Sequence, residues 1–222
     1  MQLRQLVILL GLCSHPVVCA ARNPEPSTSD TWEIRAGDTL IHIAENRYGS
    51  RAYAGFLEAF NQVDPRKLQV GKPLLTPAFS SAMGSCGAAE AAPEIVPLLC
   101  ALPENFKAAG KLVLAQCRAD RGVKEPRPLE PETLRERAEV QGQVAAIRAA
   151  VGEAALPGSL SASLRKRCRR IEQMLAQVAE LEGEKMRAFQ RTAYFSIERV
   201  HRQIDSAFCD LIGYARTAPG GA

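Results

Sequence analysis

The chain has 222 residues, a formal net charge of +4 and only 5% aromatic residues. This length is enough for one large domain or two small ones. The mild positive charge gives no argument for nucleic acid as a partner. No apolar run after the first 20 residues is long enough to cross a bilayer, so we expect no membrane-spanning segment.

The first 20 residues have the pattern of a secretory signal peptide. A positively charged start precedes the apolar run Leu6–Leu12, and the small residues of Val18–Ala20 suit a cleavage site. We therefore predict export to the periplasm, the cell envelope or the medium, with residues 1–20 removed. In an alternative interpretation, Cys19 is lipidated and the protein is a lipoprotein. Residues 21–30 are polar and rich in proline, which predicts a linker.

Residues 31–78 carry the densest pattern in the chain, which predicts a strand, two helices and a second strand. Trp32–Arg35 alternates apolar and polar residues, as a half-buried strand does. Asp38 or Thr39 can cap the helix that follows, because a side-chain oxygen there accepts a hydrogen bond from a free backbone N–H. Gly49 ends this first helix, and apolar residues at helical spacing then predict the second.

This stretch resembles the LysM module family in the order and spacing of residues along its whole length. The resemblance implies a small α+β unit with a βααβ fold. It also implies binding of polymers that contain N-acetylglucosamine, usually peptidoglycan or chitin. The matching residues are Gly37-Asp38-Thr39-Leu40, Ile43-Ala44, Tyr48-Gly49, Asn61, Leu68, Val70-Gly71, Leu74 and Pro77.

In the LysM family the sugar lies in a shallow groove between two loops. Such loops suit a polymer of amino sugars, because backbone polar groups and a few apolar side chains can meet its amide, hydroxyl and acetyl groups. An alternative is that the fold has lost sugar binding and serves as a spacer. Carried over by position, the resemblance implies glycan binding by Gly37, Asp38, Thr39 and Leu40 in one loop and by Asn61, Gln62, Val63, Asp64 and Pro65 in the other.

The remainder of the chain is predicted to be mainly helical and resembles no family. Residues 79–102 are rich in Ala, Gly and Ser, which predicts a flexible linker. Residues 103–215 are predicted to form a helical domain with the character of a helical hairpin or coiled coil, followed by a tail at 216–222. Its first two helices should begin at Pro103 and Pro131, because proline is favoured in the first turn of a helix.

The third predicted helix is unusually long. It begins at Ser159 or Ser161, and its apolar stripe continues at nearly heptad spacing for about 50 residues, which favours coiled-coil packing. Gly183 lies inside the stripe, but one glycine costs only about 1 kcal/mol relative to alanine and does not force a turn. The second helix is too short to cover this stripe. We expect the first helix to cover the distal half, with a bend near Gly183 or a dimer as alternatives.

Five cysteines follow the predicted signal peptide. Export favours disulfides, and an odd number leaves at least one cysteine unpaired within the chain. We predict one bond between Cys117 and Cys209 and another from Cys168 to Cys86 or Cys100, with free buried thiols as the alternative. The spacing of the cysteines does not indicate a metal site. The five are Cys86, Cys100, Cys117, Cys168 and Cys209.

Two polar patterns in the third helix could carry chemistry. Glu198, His201 and Asp205 share one helical face, and Glu-x-x-His is half of a di-iron carboxylate pattern. The rest of that pattern is missing, so we interpret the three as a polar surface stripe and predict neither metal, cofactor nor enzymatic activity. The basic run Arg165–Arg170 is interpreted as a solvated face with carboxylate neighbours. Its alternative role is contact with an anionic envelope polymer or another protein.

These observations favour an exported, non-enzymatic protein that binds cell-wall glycan through its LysM-like stretch. The helical half would then be an interaction or spacer domain, with an envelope protein or a second copy of the chain as its partner. Two other interpretations stay open. One is a wall-remodelling hydrolase with an unrecognised catalytic half, and the other is a helical envelope assembly protein in which the LysM fold is only structural.

Overall fold

The computed structural model describes residues 30–119, 130–180 and 186–218. The predicted signal peptide, all but the last residue of the first linker and the final four residues of the tail lie outside the described residues. The predicted fold class is confirmed at a coarse level, because the described chain is mostly helical and contains a small two-stranded sheet. In the described residues no helix is both long and apolar enough to span a membrane.

The N-terminal unit (residues 31–78) contains the sheet. Strand β1 pairs antiparallel with strand β2, and Trp32 lies opposite Leu74. Thr39 caps the first helix, which ends at Gly49 in a left-handed conformation with φ of 73°. The elements are β1 (Thr31–Glu33), α1 (Leu40–Tyr48), a 3₁₀ turn (Arg51–Tyr53), α2 (Ala54–Asn61) and β2 (Pro73–Leu75).

The stretch 79–102, predicted to be a flexible linker, is helical and packed. It forms α3 (Phe79–Ser85), α4 (Ala88–Ala91) and the beginning of α5 (Val96–Ala119). The linker prediction was wrong because its alanines favour helix and their small side chains allow close packing. The stretch contributes fully or almost fully buried residues to the core, namely Ala82, Met83, Ala88, Ala92, Ile95, Val96, Leu99 and Leu102.

Helix α5 also begins earlier than predicted, so Pro103 lies in its interior. Proline has no N–H to donate and disrupts the helical hydrogen bonds of the preceding turn. Close to this position, the Gln143 side chain donates from Nε2 to the Leu98 carbonyl oxygen at 2.9 Å. A neighbouring helix therefore bonds the α5 backbone one residue before Leu99, whose carbonyl Pro103 leaves without its usual donor.

The second predicted helix is confirmed as α6 (Pro131–Glu153), whereas the long third helix is divided into α7 (Gly158–Glu180) and α8 (Met186–Thr217). Residues 181–185 lie outside the described residues. Helix α8 packs back on α7, because Arg167 donates to both carboxylate oxygens of Asp210 at 2.8 and 3.2 Å. A single straight helix could not bring Arg167 and Asp210 together, so the prediction of one continuous helix was wrong.

Helix α8 is covered from several sides. The prediction that the first helix covers its apolar face is confirmed for the described side chains, because Ile197 on α8 lies 3.3 Å from where a Cβ on Gly110 of α5 would stand. The rings of Phe106 on α5 and His201 on α8 also lie 5.0 Å apart. The N-terminal unit covers another part, which the sequence did not indicate. The Phe208 ring lies 5.8 Å from Phe56 of this unit, and it stacks on Phe79, the first residue of α3, with centroids 4.5 Å apart. The N-terminal unit and the helices thus share one hydrophobic core.

The end of α8 also contacts the N-terminal unit. Arg216, the first residue of the predicted tail, is still helical, and its guanidinium donates to the carbonyl oxygens of Ala59 and Phe60. These carbonyls lie at the end of α2, where the last acceptors of a helix have no partner within it. The two residues that begin the predicted tail therefore belong to the folded structure.

None of the four cysteines whose side chains the structure describes forms a disulfide. Cys168 is buried and lines a small apolar cavity with Leu99 and Val144, so it faces the interior of α5, α6 and α7. The predicted bond from Cys168 to Cys86 or Cys100 is absent. The other predicted bond is absent too, since Cys209 is a free thiol, while the side chain of its proposed partner Cys117 lies outside the described residues.

Three of these thiols should react slowly with alkylating reagents. Burial raises the pKa of Cys100 and Cys209 to about 12 and that of Cys168 to about 11, and only the thiolate is strongly nucleophilic. We expect their alkylation by iodoacetamide at pH 8 to be at least about tenfold slower in the native protein than in denaturant. Peptide mass spectrometry without reduction checks this, and a disulfide-linked peptide would contradict it.

Candidate functional site

The first loop of the predicted glycan site is held together by the Asp38 carboxylate. Its Oδ2 accepts hydrogen bonds from the Trp32 indole Nε1 and the Arg35 backbone N–H, both at 2.9 Å. Its Oδ1 lies 3.0 Å from Nδ1 of His42. The Trp32 hydrogen bond, followed by that of Arg35, lowers the pKa of Asp38 because both stabilise the charged form. The Asp38 side chain is therefore occupied in shaping the loop.

The other three residues of this loop differ in what they offer to a ligand. Gly37 is exposed and has φ of 89°, a left-handed conformation that favours glycine. Thr39 is exposed, and its hydroxyl accepts the His42 N–H at 3.1 Å as the cap of α1. Leu40 is only 3% exposed and belongs to the core. The Leu40 side chain is therefore not accessible to a ligand.

The second loop begins with Asn61, which clamps the end of α2 to β2. The Asn61 Nδ2 donates to the Leu57 and Leu75 carbonyl oxygens at 3.0 and 2.9 Å. Its Oδ1 accepts the Leu75 N–H at 2.8 Å. Because both ends of the amide are bonded within the protein, we assign Asn61 a structural role in holding the loop in place.

The remaining residues of the second loop are more accessible. Gln62 is exposed and adopts a left-handed conformation with φ of 54°. Val63 is half-buried, while Asp64 and Pro65 are exposed. Asp64 accepts the Arg66 N–H at 2.9 Å and so stabilises the turn. This part of the loop keeps side-chain and backbone groups available to a ligand.

A depression of about 250 Å³ lies beside the second loop. Its floor is apolar and its rim is polar, which is the usual composition of a small-ligand site. The first loop does not line it, so the structure does not bring the two predicted loops together around this depression. The lining residues are Ile34, Val63, Leu68, Pro73 and Leu74 on the apolar side and Asp64, Lys67, Gln69 and Lys72 on the polar side.

Besides Asp64, three polar residues lie on this rim, and the sequence pattern did not point to them as site residues. They are Lys67, Gln69 and Lys72. Lys67 lies 3.5 Å from the Asp64 carboxylate, with 81% of its side chain exposed. Gln69 and Lys72 are also exposed. Residues 66–72 contain three cations within one loop, and that local charge was the available signal. These groups could bind the amide, hydroxyl or carboxylate groups of a ligand.

A second polar cluster lies between α8 and the N-terminal unit. Glu198, His201 and Asp205 are 6%, 4% and 8% exposed, so the prediction that they form a surface stripe was wrong. These three residues lie between or beside the residues of the apolar stripe of α8. His201, for example, is three residues before the buried Ile204. That position within the stripe was the signal that the three side chains face a partner.

Each member of this cluster bonds a different residue of the N-terminal unit. The Ser50 hydroxyl donates to the Glu198 carboxylate at 3.0 Å. The Tyr53 hydroxyl lies 2.7 Å from Nδ1 of His201. The third member, Asp205, accepts the Phe56 backbone N–H at 2.7 Å. We call these three paired contacts the buried seam. Because buried polar groups need partners, the seam fixes how the N-terminal unit sits on α8.

Burial shifts the pKa values of three side chains of the seam, His201, Asp205 and Tyr53. Burial, with a smaller contribution from Lys107, lowers the pKa of His201 to about 4. Burial raises the pKa of Asp205 to about 7, against the opposing hydrogen bond from Phe56. Burial also raises the pKa of Tyr53, so its hydroxyl stays protonated and can donate to the neutral His201 imidazole.

The seam does not have the geometry of a metal centre. Among the described residues, no group of three His, Cys, Asp or Glu side chains converges on a point where it could hold a metal ion. Glu198, His201 and Asp205 are instead spread along α8, and each contacts its own partner. The seam is therefore a structural contact between two parts of the molecule.

Comparison with known proteins gives no relative for this chain. No family model matches it, and no curated protein or solved structure matches it either.

Proposed function

We propose that the protein binds a cell-wall glycan containing N-acetylglucosamine, and that it does so through its N-terminal unit as a LysM-like βααβ module. Two observations support this proposal. The residues that resemble the LysM family extend along the whole of 31–78. The unit also begins and ends with strands that pair with each other, and helices lie between them.

The depression beside the second loop is the observation that carries the proposal. An N-acetyl group has a methyl that suits an apolar floor and an amide that suits a polar rim. Val63 and Leu68 can contact the methyl, while Gln69 offers both a hydrogen-bond donor and an acceptor. Lys67 and Lys72 add positive charge, which would favour the carboxylates that peptidoglycan carries. The site we propose is therefore the depression itself, with Val63, Lys67, Leu68, Gln69 and Lys72 in its lining.

We propose further that the protein is exported and that the helical half acts as a spacer or an interaction domain without catalysis. In the described residues, Glu198 and His201 are bonded to Ser50 and Tyr53 inside the buried seam. They do not face an open cleft, so they give no support to a hydrolytic mechanism. An envelope protein or a second copy of the chain remains the proposed partner of the helices.

Replacing Val63 with aspartate should weaken glycan binding about tenfold or more, which corresponds to about 1.4 kcal/mol. The substitution puts a charge on the apolar floor, where the acetyl methyl would otherwise be in contact. The measurement is co-sedimentation of the full chain with purified peptidoglycan and with chitin. The full chain is used because the isolated N-terminal unit would expose Tyr53 and Phe56, both fully buried here.

The matched control is Val70→Asp. Val70 belongs to the same loop, is 67% exposed and does not line the depression. This variant should bind within about twofold of the unchanged protein, since substitutions at such exposed positions usually have small effects. Equal losses in the two variants, with folding unchanged by circular dichroism, would rule out the depression as the binding site.

A second candidate function is an envelope assembly protein in which the N-terminal unit is only structural. The buried seam favours it, because three polar contacts dock that unit on α8. Asp38 and Asn61 also use their side chains within the protein. Failure of the folded full chain to sediment with either glycan would favour this candidate.

A further inference from the structure

The outward surface of α7 carries a compact group of cations. Arg165, Lys166, Arg169 and Arg170 are all exposed, and we call them the α7 basic face. Their spacing places them on the same side of the helix. At 1.5 Å per residue they span only about 8 Å along its axis. Arg167, within the same run, points elsewhere and pairs with Asp210.

Neighbouring carboxylates do not neutralise this face. Glu172 pairs with Arg148 at 3.1 Å, and Asp210 accepts from Arg167 and Ser163. Glu198 and Asp205 on α8 are buried against the N-terminal unit. Within the described ranges, no side chain of the α7 basic face takes part in an ion pair. The interpretation of the run as a face with carboxylate neighbours therefore holds for Arg167 alone.

Further cations are exposed on a neighbouring helix. Arg199 and Arg202 on α8, the helix that packs on α7, are also exposed. Like charges four residues apart on a helix repel each other, as Arg165 and Arg169 must. A bound polyanion would relieve this repulsion. The α7 basic face is thus suited to a partner with closely spaced negative charges.

The shape and composition of the face narrow the choice of partner. Residues 158–176 contain no aromatic side chain on which nucleic-acid bases could stack. The exposed uncharged residues Ser159, Ala162 and Gln173 are small or polar, so nothing on the face can insert into an apolar layer. Three of the four cations are arginine, whose planar guanidinium forms paired hydrogen bonds with phosphate. An extended layer of phosphate groups fits these features.

We propose that the α7 basic face binds the surface of an anionic phospholipid bilayer. The contact is electrostatic and peripheral, with arginine guanidinium groups on lipid phosphates and no insertion into the hydrocarbon layer. It does not depend on glycan binding, because the depression of the N-terminal unit lies on different elements. A protein with both sites could hold a glycan close to a membrane.

The test is co-sedimentation of the full chain with vesicles. One set contains phosphatidylcholine and phosphatidylglycerol in a ratio of about 7 to 3, and the other contains phosphatidylcholine alone. We expect binding to the anionic vesicles at low salt, and its loss at about 0.5 M NaCl because the salt screens the charges. Each Lys or Arg near an anionic surface contributes roughly fivefold in affinity. Arg169→Gln with Arg170→Gln should therefore reduce binding by about 25-fold.

The matched control removes two exposed cations elsewhere, Arg66→Gln with Lys111→Gln. It should change binding less than about threefold, because these residues lie outside the α7 basic face. An equal loss in both double variants would overturn the proposal in favour of a net-charge effect. Failure to bind anionic vesicles at low salt would overturn it as well. Binding to soluble polyphosphate but not to vesicles would replace the bilayer with a linear polyanion.

Discussion

Replacing Phe208 with alanine should lower the free energy of unfolding by about 3–5 kcal/mol. The Phe208 side chain is fully buried and stacks on Phe79 with an angle of 9° between the rings. It also lies against Phe56 of the N-terminal unit, so its removal leaves a cavity between the two parts of the molecule. Urea unfolding followed by circular dichroism measures the loss.

Leu134→Ala is the control for this prediction. Leu134 is 42% exposed on α6, so its truncation should cost no more than about 0.5–1 kcal/mol. Because Phe208 belongs to the shared core, its loss should also weaken protection of the α2 amides against hydrogen exchange. A loss below 1 kcal/mol, or full protection of α2, would show that the N-terminal unit is stable without the Phe208 contact.

Asp205→Asn should make the stability of the protein depend on pH between about 4 and 6.5. In the unchanged protein two groups of the buried seam act in opposite directions. Asp205 has a pKa of about 7 in the folded protein, against 3.8 for an ordinary aspartate. Its contribution to the free energy of unfolding is therefore present at low pH and is lost as the pH rises. His201 has a pKa of about 4 in the folded protein, against 6.5 for an ordinary histidine. Its contribution to the free energy of unfolding is therefore present above pH 6.5 and is lost as the pH falls.

Because these two pH ranges overlap, the opposite changes in the free energy of unfolding largely cancel in the unchanged protein. Asp205→Asn keeps an oxygen to accept the Phe56 N–H and leaves only the His201 effect. Relative to the unchanged protein, the stability of this variant should rise by about 3 kcal/mol from pH 4 to pH 6.5. Lys107 is the cation that acts on His201, whereas Arg167 and Glu58 act on Asp205, and all three remain.

The reciprocal variant, His201→Gln, should show the opposite trend. With only the Asp205 effect left, its stability relative to the unchanged protein should fall over the same pH range. Denaturant titrations at several pH values measure all three proteins. Parallel pH profiles for the unchanged protein and the two variants would mean that neither group is perturbed by burial in the seam.

Local features of the sequence predicted several elements well. Thr39 caps α1, Gly49 ends it in a left-handed conformation, and Pro131 begins α6. Such signals act through hydrogen bonds and backbone angles within four residues, so neighbouring sequence is sufficient to read them. The apolar stripe of α8 was likewise visible, because its period depends only on helix geometry.

The candidate site was less predictable from sequence. The family resemblance pointed to Asp38 and Asn61, yet both side chains are bonded within the loops they stabilise. Whether a polar side chain serves a ligand or the fold depends on which backbone groups surround it. Lys72 lies at the depression only because the loop before β2 brings it there.

By itself, the sequence determined the cap and the end of α1, the start of α6 and the amphipathic character of α7 and α8. Tertiary structure decided that the alanine-rich stretch 79–102 is packed and that α8 turns back on α7. It also decided that Glu198 is buried against Ser50, 148 positions away in the chain. Helix propensity and capping act over a few residues, whereas burial depends on surfaces that only the folded chain brings together.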